Sequence, residues 1–484
     1  MQGFAAREFI PVARKNHKTL KEQVWDPREV ERLAREFAHI AAKELTRTAG
    51  PVRDPQFFDK VKAIVRRPVT PRNIAKFVSD IAAASLHLNH PRYASHQVVA
   101  PIPLAALVES VVASLNNGVA IWDMSPAGMV IERDLIDRFK KRFGYPASAD
   151  GTSVAGGSYA NLTGLLAARA RLEPRAWATG RARIAILAGA QTHYSVSRAA
   201  GILGLGTDSV FTIPVDDGQH TDPAALPAVF RTAKKAGFRK FILIATCGST
   251  STGSCDDLVE LSAAARREGA WLHVDAAHGG GLIFSRRHQH LLRGIGRSDS
   301  LAFDPHKMLF MPLAASVVLV RDGRALRHAF EQYAPYMYGN RGRAYPDIGQ
   351  FTLGCSQRVD ALKTWLTWKV YSPALWDELI SGVCDVARAA YEYCLRSKIL
   401  VPAHEPSSNI LCFSLRHPPA SARAADRLHA QVKEGVNASG EAYISSTILN
   451  GRRCVRLVVM NPRTTAAEII RLLKVVERWA KRLQ

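Results

Sequence analysis

Acidic residues are in short supply: 42 Asp and Glu stand against 65 Lys and Arg in the 484-residue chain, a formal charge of +23. Such a surplus raises nucleic-acid or anionic-surface binding as a function. The basic residues are dispersed, however, in pairs such as Arg66-Arg67, Arg266-Arg267, Arg286-Arg287 and Arg452-Arg453. There is no basic helix with interleaved aromatics, so no nucleic-acid partner is expected. The charge is read as a solubility feature that also draws in small anions. Long apolar runs are missing as well. None approaches the ~20 residues a membrane helix requires, which argues against a membrane partner. Seven cysteines (247, 255, 355, 384, 394, 412 and 454) include no Cys-x-x-Cys pair. That excludes a disulfide framework and a thiolate metal site, and leaves the reduced thiols of a cytosolic protein with no metal expected. Residues 1–20 carry Arg7, Arg14, Lys15 and Lys18 and lack the apolar core of a secretory signal, so a cytoplasmic location is expected. Internal repeats and low-complexity linkers are also absent.

What is present divides into three parts. Residues 1–95 read as helical. Asp26-Pro27 is a helix start, and Val30, Leu33, Phe37, Ile40 and Ala41 follow at helical spacing. Through 96–375 short aliphatic strands alternate with helical patterns, with candidates at 183–187, 241–246, 271–275 and 316–320. This predicts a mainly parallel sheet covered by helices. From 376 to 484 a helix near 383–395, strands at 410–415 and 454–459 and a terminal helix over 465–482 predict a smaller α+β domain.

One segment stands out. His273-Val-Asp-Ala-Ala-His278-Gly ends a predicted strand with Asp275 at its edge, and Asp304-Pro-His-Lys307 follows it. A lysine amine can hold an aldehyde, and a carboxylate can keep a pyridine nitrogen protonated. Those are the two groups pyridoxal phosphate needs to act as an electron sink. Upstream, Gly156-Gly157-Ser158 opens a helix through Asn161 to Arg169. Glycines before a helix N-terminus expose N–H groups and the positive dipole end to a phosphate.

These motifs, in this order, resemble the group II pyridoxal-phosphate-dependent amino-acid decarboxylases: the glutamate, cysteine-sulfinate, aromatic-amino-acid and diaminobutyrate enzymes. The resemblance runs from about His90 to the C-terminus. It implies fold type I, the aspartate-aminotransferase-like α/β fold with a mainly parallel seven-stranded sheet and helices on both faces, and a homodimer in which the N-terminal helices cross to a partner. An intramolecular place for their apolar stripe fits equally well. It also implies Lys307 as the covalent anchor and Asp275 against the ring nitrogen, with Gly157, Ser158 and His306 at the phosphate and Ser300 as a weaker alternative there. His193 would stack on the ring and assist proton transfer, Thr250 would line it, and small Ala277 would let it lie close. Arg456 matches the arginine for the substrate α-carboxylate, and His96 stands near the pocket entrance. The Tyr- and Gly-rich segment 333–357 matches a closing loop, in which Tyr345 is the first choice for protonation and Tyr338 the second. The implied reaction is decarboxylation of an L-amino acid to its amine and carbon dioxide. The alternatives are decarboxylation coupled to oxidative deamination, giving an aldehyde, a basic nucleic-acid binder and a non-catalytic protein.

Overall fold

The computed structural model describes residues 22, 24–330, 334 and 347–484, in two compact units. The smaller unit comprises residues 1–46 and 57–85, and its described part is helical: Pro27–Leu45, Phe57–Val65 and Ile74–Ala84. The first helix begins where Asp26-Pro27 predicts, with the Asp26 carboxylate accepting from the Arg28 amide. No residue of that helix is buried. Val30 and Phe37 are 51% and 38% exposed while Leu33, Ile40 and Ala41 are half-buried, so the apolar stripe is open in part.

The larger unit, residues 47–56 and 86–484, holds two sheets. Its strands are β1 (Tyr93–Ala94), β2 (Asp150–Val154), β3 (Ile184–Gly189), β4 (Val210–Ile213), β5 (Lys240–Thr246), β6 (Trp271–Ala276), β7 (Ser300–Phe303) and β8 (Ser316–Val320). They continue with β9 (Leu400–Pro402), β10 (Ile410–Leu415), β11 (Tyr443–Leu449) and β12 (Arg452–Val458). The large sheet has the order β2-β8-β7-β6-β5-β3-β4, seven strands, as expected. β4, β3, β5, β6 and β7 run parallel, and β8 alone is antiparallel to both of its neighbours.

Side chains on these strands alternate between two cores, as the period of two demands. Leu187, Leu243, Val274 and Phe303 face one side; Ile186, Ile244, Trp271 and Ala302 face the other. Burial on both faces is why strands such as Lys-Phe-Ile-Leu-Ile-Ala-Thr read as nearly continuous apolar runs. On the first side Phe139, Phe303, Phe284, Trp368 and Trp376 form a cluster of edge-to-face and tilted pairs with centroids 5.2–5.4 Å apart. Against the second side lies the helix Gly157–Leu172, whose Ala, Leu and Gly residues are buried over most of its length. The second sheet, β1-β11-β12-β10-β9, is built mostly from the C-terminal region, and its β1 comes from residues 93–94. The helix Ala361–Arg396 breaks at Ser372, whose φ of 60° precedes Pro373. Proline disfavours helical geometry in the residue before it.

Candidate active site

The carboxyl ends of parallel strands converge on one edge of the large sheet, where open α/β sheets place their ligands. Asp275 is the penultimate residue of β6, Lys307 follows β7, His193 follows β3 and Thr250 follows β5. Gly157 and Ser158 open the helix after β2. Between them is a cavity of about 200 Å³. Gly157, Ser158, His193, Thr250, Asp275, Ala277, His306 and Lys307 all line it, joined by Asn161, Thr246, Gly248, His278 and Asp304. The sequence motifs assign no role to these last five. Tyr345 and Tyr338 lie outside the described residues.

The period of two explains what holds Asp275. Trp271, His273 and Asp275 share the face of β6 that meets the helix Gly157–Leu172, and there they form a ladder of hydrogen bonds. Asn161 Nδ2 donates to Asp275 Oδ2 at 2.8 Å and to Ser195 Oγ at 2.9 Å. With both amide hydrogens committed, Asn161 Oδ1 must accept, and it does so from His273 Nε2 at 3.0 Å. His273 Nδ1 therefore accepts from Ser300 Oγ at 2.8 Å, and that oxygen takes the Trp271 Nε1 hydrogen at 2.8 Å. Burial holds His273 neutral, its pKa pushed down to about 4. The ladder thus donates in one direction, from the indole to the carboxylate, and the Ala277 amide adds a bond to Asp275 Oδ1 at 3.1 Å. It needs Gly164, because a Cβ there would stand 2.6 Å from His273 Cε1.

Ser195 extends the same network to His193. Its Oγ receives Asn161 Nδ2 and lies 2.8 Å from His193 Nδ1, leaving the hydroxyl hydrogen for the ring. His193 is thereby the tautomer protonated on Nε2. Burial lowers its pKa against the pull of Asp275. Ser300 is a correction to the sequence reading: its hydroxyl is taken by Trp271 and His273, so it is not free for a phosphate.

Lys307 Nζ sits 3.2 Å from Asp304 Oδ2. Asp304 also accepts from Ser316 Oγ at 2.5 Å. A Cβ on Gly157 would fall 2.5 Å from Asp304 Oδ2, so only glycine lets this helix start approach so closely. His306 donates through Nδ1 to the Ala315 carbonyl at 2.7 Å, and burial depresses its pKa. Arg456 is held just behind Thr250, donating to the Thr250 carbonyl at 2.7 Å, to Ser445 Oγ at 3.0 Å and to the Ser95 carbonyl at 3.3 Å. It is buried, pairs with no carboxylate among the described residues, and burial lowers its pKa. His96, in part exposed, does not line the cavity. Partial burial and the charges of Arg456 and Lys433 hold it below the usual imidazole range.

Residues 72–416 match the pyridoxal-dependent decarboxylase conserved domain, well over half of the chain. The chain belongs to the pyridoxal-dependent decarboxylases. It is 31% identical over 428 residues to the L-2,4-diaminobutyrate decarboxylase of Rhizobium meliloti (strain 1021), covering 86% of this chain and 84% of that one. To the acidic amino acid decarboxylase GADL1 of Mus musculus it is 28% identical over 421 residues, covering 84% and 76%. Its fold superposes on the crystal structure of mouse CSAD in apo form with a TM-score of 0.86, at 26% identity, over 94% of this chain and 99% of that one. This decarboxylase is therefore an amino-acid decarboxylase of fold type I with pyridoxal phosphate as its cofactor. The cavity fits that group. It combines a helix start cleared by Gly157, a lysine, and a carboxylate fixed in orientation by neutral donors. When bound, the cofactor supplies a conjugated ring that accepts the electrons of the broken bond.

Proposed function

We propose that the cavity holds the cofactor with Asp275 against its ring nitrogen, Lys307 as its covalent anchor, and Gly157, Ser158 and His306 around its phosphate. His193, Ala277 and Thr250 then bound the ring. The support is the placement of all eight residues around one cavity. In this reading Arg456 takes the substrate carboxylate, His96 stands at the entrance, and Tyr345 returns the proton, with His193 its substitute. Residues 96–375 form the cofactor-binding domain and 376–484 the small one. The enzyme works as a cytoplasmic homodimer through the helices of residues 1–95. Seven free cysteines and the partly open stripe on the helix Pro27–Leu45 support this.

The substrate we propose is an L-amino acid with an anionic side chain. One observation carries this: Arg456 is a buried guanidinium without a carboxylate partner among the described residues, and its charge and that of Lys433 both bear on His96. Positive charge around His96 favours an anionic substrate. The likeness to an acidic amino acid decarboxylase points the same way. The likeness to a diaminobutyrate decarboxylase supports a second reading, with a cationic side chain. A panel of L-amino acids assayed for amine, aldehyde and carbon dioxide tests both. Glutamate, aspartate or cysteine sulfinate should be turned over to amine, and preference for diaminobutyrate would overturn the first reading. In the same assay Tyr345→Phe should lower amine and raise oxygen-dependent aldehyde, because the residue that would return the proton to Cα is removed.

A further inference from the structure

His278 stands inside the motif that carries Asp275, three residues beyond it. It lines the cofactor cavity and is 2% exposed. Its Nε2 lies 2.8 Å from Asn409 Oδ1. Asn409 cannot present its other end, because its Nδ2 donates to the Val459 carbonyl at 2.8 Å. The oxygen therefore faces His278, and His278 must donate through Nε2. A neutral imidazole carries one N–H, so Nδ1 is a bare lone pair. Neutrality is secured by burial and by the charges of Lys307 and Arg456, which push the pKa down to about 3. The Cδ2 corner is turned to Gly248, where a Cβ would stand 3.2 Å away. Nδ1 is buried and has no hydrogen-bond partner among the described residues. An acceptor left so costs free energy that a ligand hydrogen would recover.

We propose that Nδ1 of His278 accepts a hydrogen bond from an amine N–H in the cofactor cavity, the amino group of Lys307 or of the incoming amino acid. His278 is then a positioning residue: it fixes the direction of the nitrogen lone pair that reacts. Lys307 already has Asp304 on one side, and His278 supplies a neutral acceptor that does not compete for its charge. The proposal rests on the amino-acid substrate of the previous section.

Two variants separate this role from a structural one. In His278→Gln the amide nitrogen takes the place of Nε2, keeping the bond to Asn409 and deleting the acceptor. In His278→Asn the amide oxygen takes the place of Nδ1, keeping the acceptor and giving up the bond to Asn409. Two readouts are compared with wild type: KM against kcat for the best amino acid, and the rate at which pyridoxal phosphate and borohydride label Lys307 in full-length, cofactor-stripped protein. If Lys307 is the amine held, His278→Gln slows labelling by about tenfold, the size expected of one hydrogen bond, and His278→Asn restores it. If the incoming amino group is held, labelling is unchanged, while KM rises about tenfold in His278→Gln and recovers in His278→Asn. The inference is overturned if His278→Gln matches wild type in both readouts, or if His278→Asn is as impaired as His278→Gln. Should the variants not fold, nitrogen-15 histidine spectra of the wild-type protein decide: a protonated Nδ1 on His278 overturns the proposal, and a bare Nδ1 whose resonance moves when the amino acid is added supports it. Failure of the functional reading looks different, since wild type would then turn over no amino acid.

Discussion

Asp275 receives its hydrogen bonds from neutral donors, the Asn161 amide and the Ala277 N–H. Its negative charge is thereby oriented without being cancelled, which suits a partner that must stay protonated. Asp275→Asn keeps the shape and removes the charge. Turnover is expected to fall by roughly 10²-fold or more, equivalent to ~3 kcal/mol of barrier. Near-normal steady-state rates would assign the role to another group. Asn161 is the residue on which the site's geometry turns, since it binds Asp275, Ser195 and His273 at once. Asn161→Ala strands a buried histidine hydrogen and loosens both His193 and Asp275. We expect a stability loss of about 1–3 kcal/mol, read by chemical denaturation, together with a fall in kcat. An unchanged kcat would mean that Asp275 is held by the sheet alone.

At the scale of elements, the helix Pro27–Leu45 carries its apolar stripe with no residue buried. If a second copy covers that stripe, Phe37→Asp should shift the protein towards monomer in sedimentation velocity, whereas a dimer of unchanged strength would place the interface elsewhere. Strands were legible in the sequence where branched aliphatics ran unbroken, as in β5 and β8. β2 (Asp-Gly-Thr-Ser-Val), β7 (Ser-Leu-Ala-Phe) and β11, with Ser-Ser-Thr at its centre, gave no such run, because neighbouring strands and helices stabilise them more than their own side chains do. The cofactor cavity was legible for a related reason: Asp275, Lys307, Gly157 and His193 sit at strand or helix ends, where residue type and position combine into a motif. Asn161 and His273 did not stand out. Each is a single polar residue inside an otherwise apolar element, and its meaning appears only when the helix and β6 are laid face to face.

For the whole molecule, several buried histidines set the response to acid. Burial, the first cause in each case, pushes His90 and His273 down to about 4 and His278 to about 3. Unfolded, they would bind protons near pH 6.5. Between those values the unfolded chain holds more protons than the folded one, so stability drops as pH falls below ~6.5 and is fully present only above it. The melting temperature should decline from about pH 7.5 to about pH 5 at fixed ionic strength; a flat profile would show that these rings are charged in the fold. The one-directional ladder ending on Asp275 has a consequence beyond chemistry. That ladder sets Asp275, 5% exposed, in a site that exists only in the folded chain, so a cofactor bound there stabilises the fold by mass action. The chain without its cofactor is therefore the more easily opened form and the better substrate for proteases. In a cell the enzyme's lifetime, and so its abundance, would track the supply of the vitamin from which the cofactor is made.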